Sequence, residues 1–206
     1  MRGAGWKEVS DEALIEAAKS GDERAFTTLV RRYEDTVYKF SYKVCREKEK
    51  AEETLQDTFI NVFRKLDSFD GKSRFSTWLY TIVANNCLMK RRRRKSDQLQ
   101  ESLEAYDEPP SGQTGKHPTT VAREELTPVD LLLQQELQSL LDAAILKLPL
   151  DYRLVFVLRD LEGKSTEETA SIARISVEAT KSRLRRARAF LRNELQTYHA
   201  AQGASQ

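Results

Sequence analysis

Cysteine and histidine are nearly missing from this sequence of 206 residues, with two of each. Cys45 and Cys87 stand in separate amphipathic stretches, neither with a second cysteine or a histidine at metal-ligand spacing. That indicates neither a disulfide framework nor a zinc site and leaves two buried, reduced thiols as the expectation. His117 falls in a polar linker and His199 in the tail. No serine, aspartate and histidine converge in a nucleophile motif, so neither enzyme chemistry nor a metal or cofactor is expected. No apolar run approaches the roughly 20 residues needed to cross a bilayer, and Met1 to Val9 lacks the apolar core of a secretion signal. A cytoplasmic protein is the expectation. Strand patterns are missing from the first half altogether.

What the sequence has is charge. Charged residues make up 32% of it against 39% hydrophobic, and the net charge of +2 conceals a strong asymmetry along the chain. For electrostatic recognition the local clusters count for more than the sum.

Ser10 followed by Asp11 and Glu12 reads as a helix start, an oxygen cap with acids where the helix dipole favours them. Gly21 stops that helix and Asp22 caps a longer one, on which Phe26, Leu29, Val30, Tyr33, Val37, Phe40 and Val44 recur at three- and four-residue spacing. A third helix is expected from about Glu49 to Leu66, with Leu55, Phe59, Val62, Phe63 and Leu66 as its apolar stripe. The pattern breaks at Asp67-Ser68-Phe69-Asp70-Gly71. A fourth helix from about Ser73 carries Phe75, Trp78, Leu79, Ile82, Val83 and Met89 and runs into the basic Lys90-Arg91-Arg92-Arg93-Arg94-Lys95.

From Asp97 to Asp130 the periodicity fades, and Pro109, Pro110, Pro118 and Pro128 gather there with Gly112 and Gly115. Eight acids face only Lys116 and Arg123, a net of −6, with too little apolar surface to offset ordering at about 1–2 kcal/mol per residue. An extended, mobile acidic linker is expected. Periodicity returns at Leu131: Leu133, Leu137, Leu140, Leu141, Ala144, Ile145 and Leu148 make an amphipathic helix that Pro149 ends. Asp151 is the expected cap of the next helix, which buries Val155, Phe156, Leu158 and Leu161 before Gly163. Ser165-Thr166-Glu167-Glu168 has capping-box spacing. A turn follows at Arg174-Ile175, and Ser176 caps a last helix reaching about Tyr198.

Two short helices joined by a tight turn, the second one basic, outline a helix-turn-helix whose second helix enters the major groove. From Lys181 to Arg192 that helix carries Lys181, Arg183, Arg185, Arg186, Arg188 and Arg192 with no acid, while Val177, Leu184, Leu191 and Leu195 hold the core side. The stretch from Leu148-Pro149 through Glu162-Gly163-Lys164-Ser165 to Lys181-Ser182-Arg183-Leu184 and Arg186-Ala187-Arg188 resembles region four of the extracytoplasmic-function (ECF) sigma factors of the sigma-70 family. The first half resembles the family independently. Glu53-Thr54-Leu55-Gln56-Asp57-Thr58-Phe59 is similar to region 2.2, and Phe69 through Tyr80 with Asn85 is similar to region 2.3 and its loop.

The resemblance implies an all-α chain in two small domains: region two over 10–96, the acidic linker over 97–130 and region four over 131–198. It implies a transcription initiation factor whose partners are core RNA polymerase, promoter DNA and an anti-sigma protein, nucleoid-associated when in holoenzyme. Glu53, Gln56 and Asp57 match positions that dock on the clamp helices of the polymerase largest subunit, and region four would meet the flap. Their spacing puts all three on one helical face. Phe69 and Asn85 match a pocket for an extruded base of the minus-ten element, with Asp70 beside them on the loop. An aromatic and an amide can repay the few kcal/mol that extruding a base costs. Arg91 and Arg92 in the basic run would hold phosphates. Trp78 and Phe75 read as core first and as stacking platforms second.

For the minus-thirty-five element, Lys181, Ser182, Arg185 and Arg186 match recognition-helix positions, where Arg or Lys can pair with guanine. Arg183 and Arg188 are assigned to phosphate or folding contacts. The linker resembles the segment that, in the family, threads toward the polymerase active centre. Some residues depart from the pattern. Arg174 stands where the turn often has glycine, and a left-handed non-glycine residue costs roughly 1–2 kcal/mol, which leaves another geometry open to the turn. Glu178 and Thr180 replace residues that are commonly glycine and valine, and Thr54 is polar where an apolar residue is usual. The competing reading is a helix-turn-helix regulator that uses only its C-terminal part, against which the region-two match argues.

Overall fold

The computed structural model describes residues 9–93 and 128–203, all of whose regular elements are helical. Residues 97–127 of the acidic linker, with Arg94 and Lys95 of the basic run, lie outside the described residues. The first half holds α1 (Asp11–Lys19), α2 (Glu23–Cys45), α3 (Lys48–Lys65), a 3-10 turn (Leu66–Ser68) and α4 (Phe75–Arg93). The second holds α5 (Pro128–Lys147), α6 (Leu150–Phe156) with a π-helical extension (Val157–Leu161), α7 (Thr166–Ala173) and α8 (Val177–Gly203).

Local chemistry sets most boundaries. The Ser10 hydroxyl oxygen accepts from Ala13 N–H at 3.3 Å, and the Asp22 carboxylate accepts from Arg24 and Ala25 N–H at 2.8 and 3.2 Å, so each satisfies donors that a helix start leaves orphaned. Both arms of the Ser165–Glu168 capping box are made, at 3.0 and 2.9 Å. Two starts differ from expectation. α5 begins at Pro128, inside the expected linker, because proline has no N–H to leave unpaired and its fixed φ suits a first helical position. Asp151 does not cap α6: Pro149 holds the cap position, and its carbonyl accepts from Tyr152 and Arg153 N–H at 3.0 and 2.9 Å, placing Asp151 within the first turn.

Arg174 keeps the left-handed turn that glycine would favour, at φ 56° and ψ 47°. Its N–H reaches the Ala170 and Ser171 carbonyls, and Ile175 N–H reaches the Ala170 carbonyl at 3.1 Å. Three closing bonds offset a strain of roughly 1–2 kcal/mol. Ser176 then caps α8 by accepting from Ala179 N–H at 3.1 Å.

The first half packs around Leu14, Leu29, Phe40, Val62, Leu79 and Val83, and the second has a core of its own around Ile145, Leu148, Val155 and Leu184. The two are not merely tethered. Leu154, Val157, Leu158 and Ile172, each no more than 1% exposed, complete the core of the first half from the far side. Burying such a side chain is worth about 1.5–3 kcal/mol. Polar contacts ring this joint: Glu162 accepts from Lys43 Nζ at 2.8 Å and from Tyr80 OH at 2.7 Å, and Thr77 donates to Glu168 at 3.3 Å. Arg153 ties the Ile145, Leu146 and Leu148 carbonyls at 3.1, 2.5 and 2.7 Å to that of Val44 at 2.9 Å. Arg46 meets the Asp142 carbonyl. Lys164 lies 4.9 Å from the centre of the Tyr80 ring.

Candidate polymerase and nucleic-acid surfaces

α3 presents Glu53, Gln56 and Asp57 on one side, as their spacing requires, with Glu53 and Gln56 exposed and Asp57 half-buried. From α4, Lys90 reaches between the two acids, 3.3 Å from Glu53 and 2.8 Å from Asp57. Of the expected stripe, Val62 and Leu66 are buried and Leu55 and Phe59 pack partly buried against the core, and Phe63 alone departs. Ala51, Thr54, Thr58 and Val62 face inward, whereas Phe63 is 68% exposed and makes an edge contact to Phe26 with ring centres 5.2 Å apart. Ile60 and, on α4, Met89 are also exposed.

The threonines can be buried because α4 answers them. The Thr58 hydroxyl accepts from Asn86 at 3.1 Å, and Asn86 accepts from Asn61 at 3.0 Å. The Thr54 hydroxyl accepts from Lys90 at 3.4 Å and lies 3.7 Å from the Cys45 sulfur. A buried hydroxyl with a partner avoids the roughly 1–3 kcal/mol that an unpaired one costs. Thr54 at a usually apolar position is thereby explained. Asn86, which no sequence motif singled out, ties the proposed docking helix to α4; the polar run Thr54, Thr58, Asn61 at helical spacing was the signal for it.

At the end of α3 the chain turns into an open cleft of about 500 Å³ lined by Phe69, Asp70, Arg74, Phe75, Asp11 and Glu12 among others. Phe69 is 7% exposed, its ring centre 5.2 Å from that of Trp78 and 5.6 Å from that of Phe75. Its carbonyl accepts from Lys19 at 2.8 Å. Phe75 is buried, as expected of a core residue, and Trp78 is half-buried. Asp70 is exposed on the loop and accepts from Lys72 N–H at 3.1 Å. The hydrogen bonding from the Lys72 side chain, 2.6 Å away, and its backbone holds the Asp70 carboxyl below the usual carboxylate range. On the cleft wall, Tyr33 donates to Asp11. Burial first and then that carboxylate push its phenol well up.

Asn85 does not line this cleft. It is half-buried on α4, ten residues beyond Phe75 and so about 15 Å farther along the axis. Phe69 and Asp70 are thus brought together and Asn85 stands apart. Arg91 and Arg92 fall on the last turn of α4, with side chains outside the described residues.

On α8, Leu184, Ala187 and Leu191 enter the core, and the opposite side carries Lys181 and Arg185, exposed, with Ser182, Arg183 and Arg186 partly so. Arg188 is engaged within the fold: its guanidinium donates to both Asp160 oxygens, at 2.9 and 2.6 Å, and those bonds raise its pKa. Glu178 is exposed in the first turn. Thr180, fully buried in place of the usual valine, donates its hydroxyl to the Ser176 carbonyl at 3.0 Å. The core contact survives the substitution because the added polar atom is satisfied locally.

These features fall within known families. Residues 29–97 match sigma-70 region 2, and residues 138–191 match sigma-70, region 4. The ECF RNA polymerase sigma-E factor of Haemophilus influenzae is 34% identical over 195 residues, covering 92% of this chain and 97% of that one. The sigma-E factor of Escherichia coli K12 is 34% identical over 193 residues, 92% of this chain and 96% of that one. Among solved structures, CnrH in complex with the cytosolic domain of CnrY superposes with a TM-score of 0.60 at 25% identity, covering 91% of this chain and 97% of that one.

Proposed function

The chain belongs to the ECF sigma factors of the sigma-70 family, and from that premise we propose how its surfaces divide the work of initiation. It is an alternative sigma factor, which binds core RNA polymerase and directs it to promoters through their minus-ten and minus-thirty-five elements. Region two over 10–96 and region four over 131–198 are its working units, with 97–130 as the tether between them.

Glu53, Gln56 and Asp57 dock on the clamp helices of the largest subunit. The observation that carries this assignment is Lys90 held between Glu53 and Asp57, which fixes two carboxylates on the outer side of α3. The exposed Ile60 and Phe63 on the same helix add apolar area for docking. Phe69 and Asp70 receive the extruded minus-ten base in the cleft. A wall bearing Asp11 and Glu12 disfavours phosphate and suits an uncharged base with amine donors. Asn85, Arg91 and Arg92 contact the strand farther along α4. Lys181, Ser182, Arg185 and Arg186 face the minus-thirty-five major groove, Arg183 holds phosphate, and Arg188 acts through the fold. Region four meets the flap.

The joined form cannot reach both elements. They lie about 25 base pairs apart by their names, roughly 85 Å at about 3.4 Å per pair, whereas a compact chain of this length has a radius of gyration of about 17 Å. The joint must therefore open on the polymerase. An anti-sigma protein that keeps the two halves together is the partner proposed for the closed form, by analogy with CnrH, which was solved with CnrY. The protein then works in the cytoplasm, at the nucleoid once in holoenzyme.

Asp57→Lys tests the docking assignment. The substitution sets two cations against each other at Lys90 and should weaken competition for core polymerase at least tenfold, an effect of about 1.4 kcal/mol. A variant that competes like the parent removes Asp57 from the docking surface.

A further inference from the structure

The two cysteines, 42 residues apart in sequence, meet with their sulfurs 3.0 Å apart, Cys45 at the end of α2 and Cys87 inside α4. A disulfide needs about 2.05 Å, so a movement of roughly 1 Å closes the gap. The pair sits at the joint: the carbonyl of Val44 receives Arg153, and Arg46 meets Asp142. The two thiols are unequal. Cys45 is half-buried and Cys87 is 3% exposed. The hydrogen bond from Cys87 foremost, then Thr54 and the charges of Lys90 and Arg153, lowers the Cys45 pKa to about 7 against the penalty of its burial. The bond with Cys45 and then burial push Cys87 well up.

We infer that Cys45 and Cys87 form a peroxide-reactive dithiol, with Cys45 as the attacking sulfur and Cys87 as the resolving one. The Cys45 thiolate attacks one oxygen of hydrogen peroxide. The O–O bond breaks, the departing hydroxide takes up a proton as water, and Cys45 becomes a sulfenic acid. The Cys87 sulfur then attacks the Cys45 sulfur, and the S–O bond breaks as the hydroxyl leaves with the Cys87 proton as a second water. Two electrons pass from the sulfurs to the peroxide, and the products are one intramolecular disulfide and two waters. The bond ties the end of α2 to α4 directly beneath the joint. This inference does not depend on the docking or DNA assignments.

The test is made on the full-length protein, reduced, desalted and exposed to hydrogen peroxide, then denatured, alkylated with a maleimide and weighed intact. The expected product is a single chain lighter by the mass of two hydrogens that takes up no maleimide and regains both thiols with dithiothreitol. Cys87→Ser should stop at a Cys45 sulfenic acid that dimedone traps, and Cys45→Ser should leave Cys87 reduced and alkylated under the same exposure. The inference is overturned if both thiols of the parent stay alkylatable. It is equally overturned if oxygen atoms accumulate on Cys45 while Cys87 remains free, or if the disulfide joins two chains.

Discussion

Glu162→Ala should open the joint. Its carboxylate is shared by Tyr80 OH at 2.7 Å and Lys43 Nζ at 2.8 Å, one residue from each of two helices of the other half. Tyr80 is 7% exposed, so its hydroxyl, left without this acceptor in the closed form, costs about 1–3 kcal/mol. The Lys43 side chain is 37% exposed, and solvent screening limits that ion pair to about 1 kcal/mol or less. Together the loss is about 1–4 kcal/mol, which shifts the ratio of closed to open forms by roughly 5- to 700-fold. Solution scattering on the free protein reads this directly as a larger radius of gyration. Helix content by circular dichroism should stay unchanged, because each half retains a core. Lys43→Ala, removing only the screened pair, should produce a smaller expansion. If Glu162→Ala scatters like the parent, or if Lys43→Ala expands the protein more than Glu162→Ala does, the ranking of these contacts is wrong.

Further consequences can be measured separately. Arg185→Ala should weaken use of one class of promoters by about 1–3 kcal/mol through a lost base contact, seen as reduced transcription from those promoters alone; a uniform loss at all promoters would move Arg185 to a phosphate role. Arg188→Ala should lower thermal stability by about 1 kcal/mol, since the bidentate pair with Asp160 is only partly shielded, and unchanged melting would return Arg188 to the DNA. Glu168 should make the second half acid-sensitive. The Ser165 backbone N–H foremost holds its carboxyl below the ordinary value, so its stabilisation is complete above about pH 4 and is lost as pH falls through the lowered folded-state value. The stability gap between the parent and Glu168→Gln should therefore shrink on acidification, and a gap that persists to low pH contradicts the capping role.

The caps at Ser10, Asp22 and Ser165 were legible in the sequence because a cap is a contact within three residues, and composition there suffices. The arrangement of α3 was legible only in part. Large apolar side chains suggested a stripe through Phe63, but helical spacing places Ala51, Thr54, Thr58 and Val62 inward, and the threonines could turn in because Asn86 and Lys90 lie 28 and 36 residues away to receive them. The joint was not legible. Leu154, Val157, Leu158 and Ile172 look like any core residues of their own helices, and the Lys43–Glu162 pair spans 119 positions. In the candidate sites, motif spacing brought Phe69 together with Asp70, and Lys181 with Arg185, but it could not foresee that Asp160 occupies Arg188, since no local pattern links the π-helical extension after α6 to α8.

Two helical units on one chain should give core polymerase its choice of promoter. The most direct measurement is run-off transcription by purified core enzyme with and without this protein, from start sites mapped after its overexpression. Discrete transcripts should appear that require the added protein and a match to both promoter elements. Transcription that is equal without it, or footprints on those sites by the free protein with no effect on the polymerase, would contradict this.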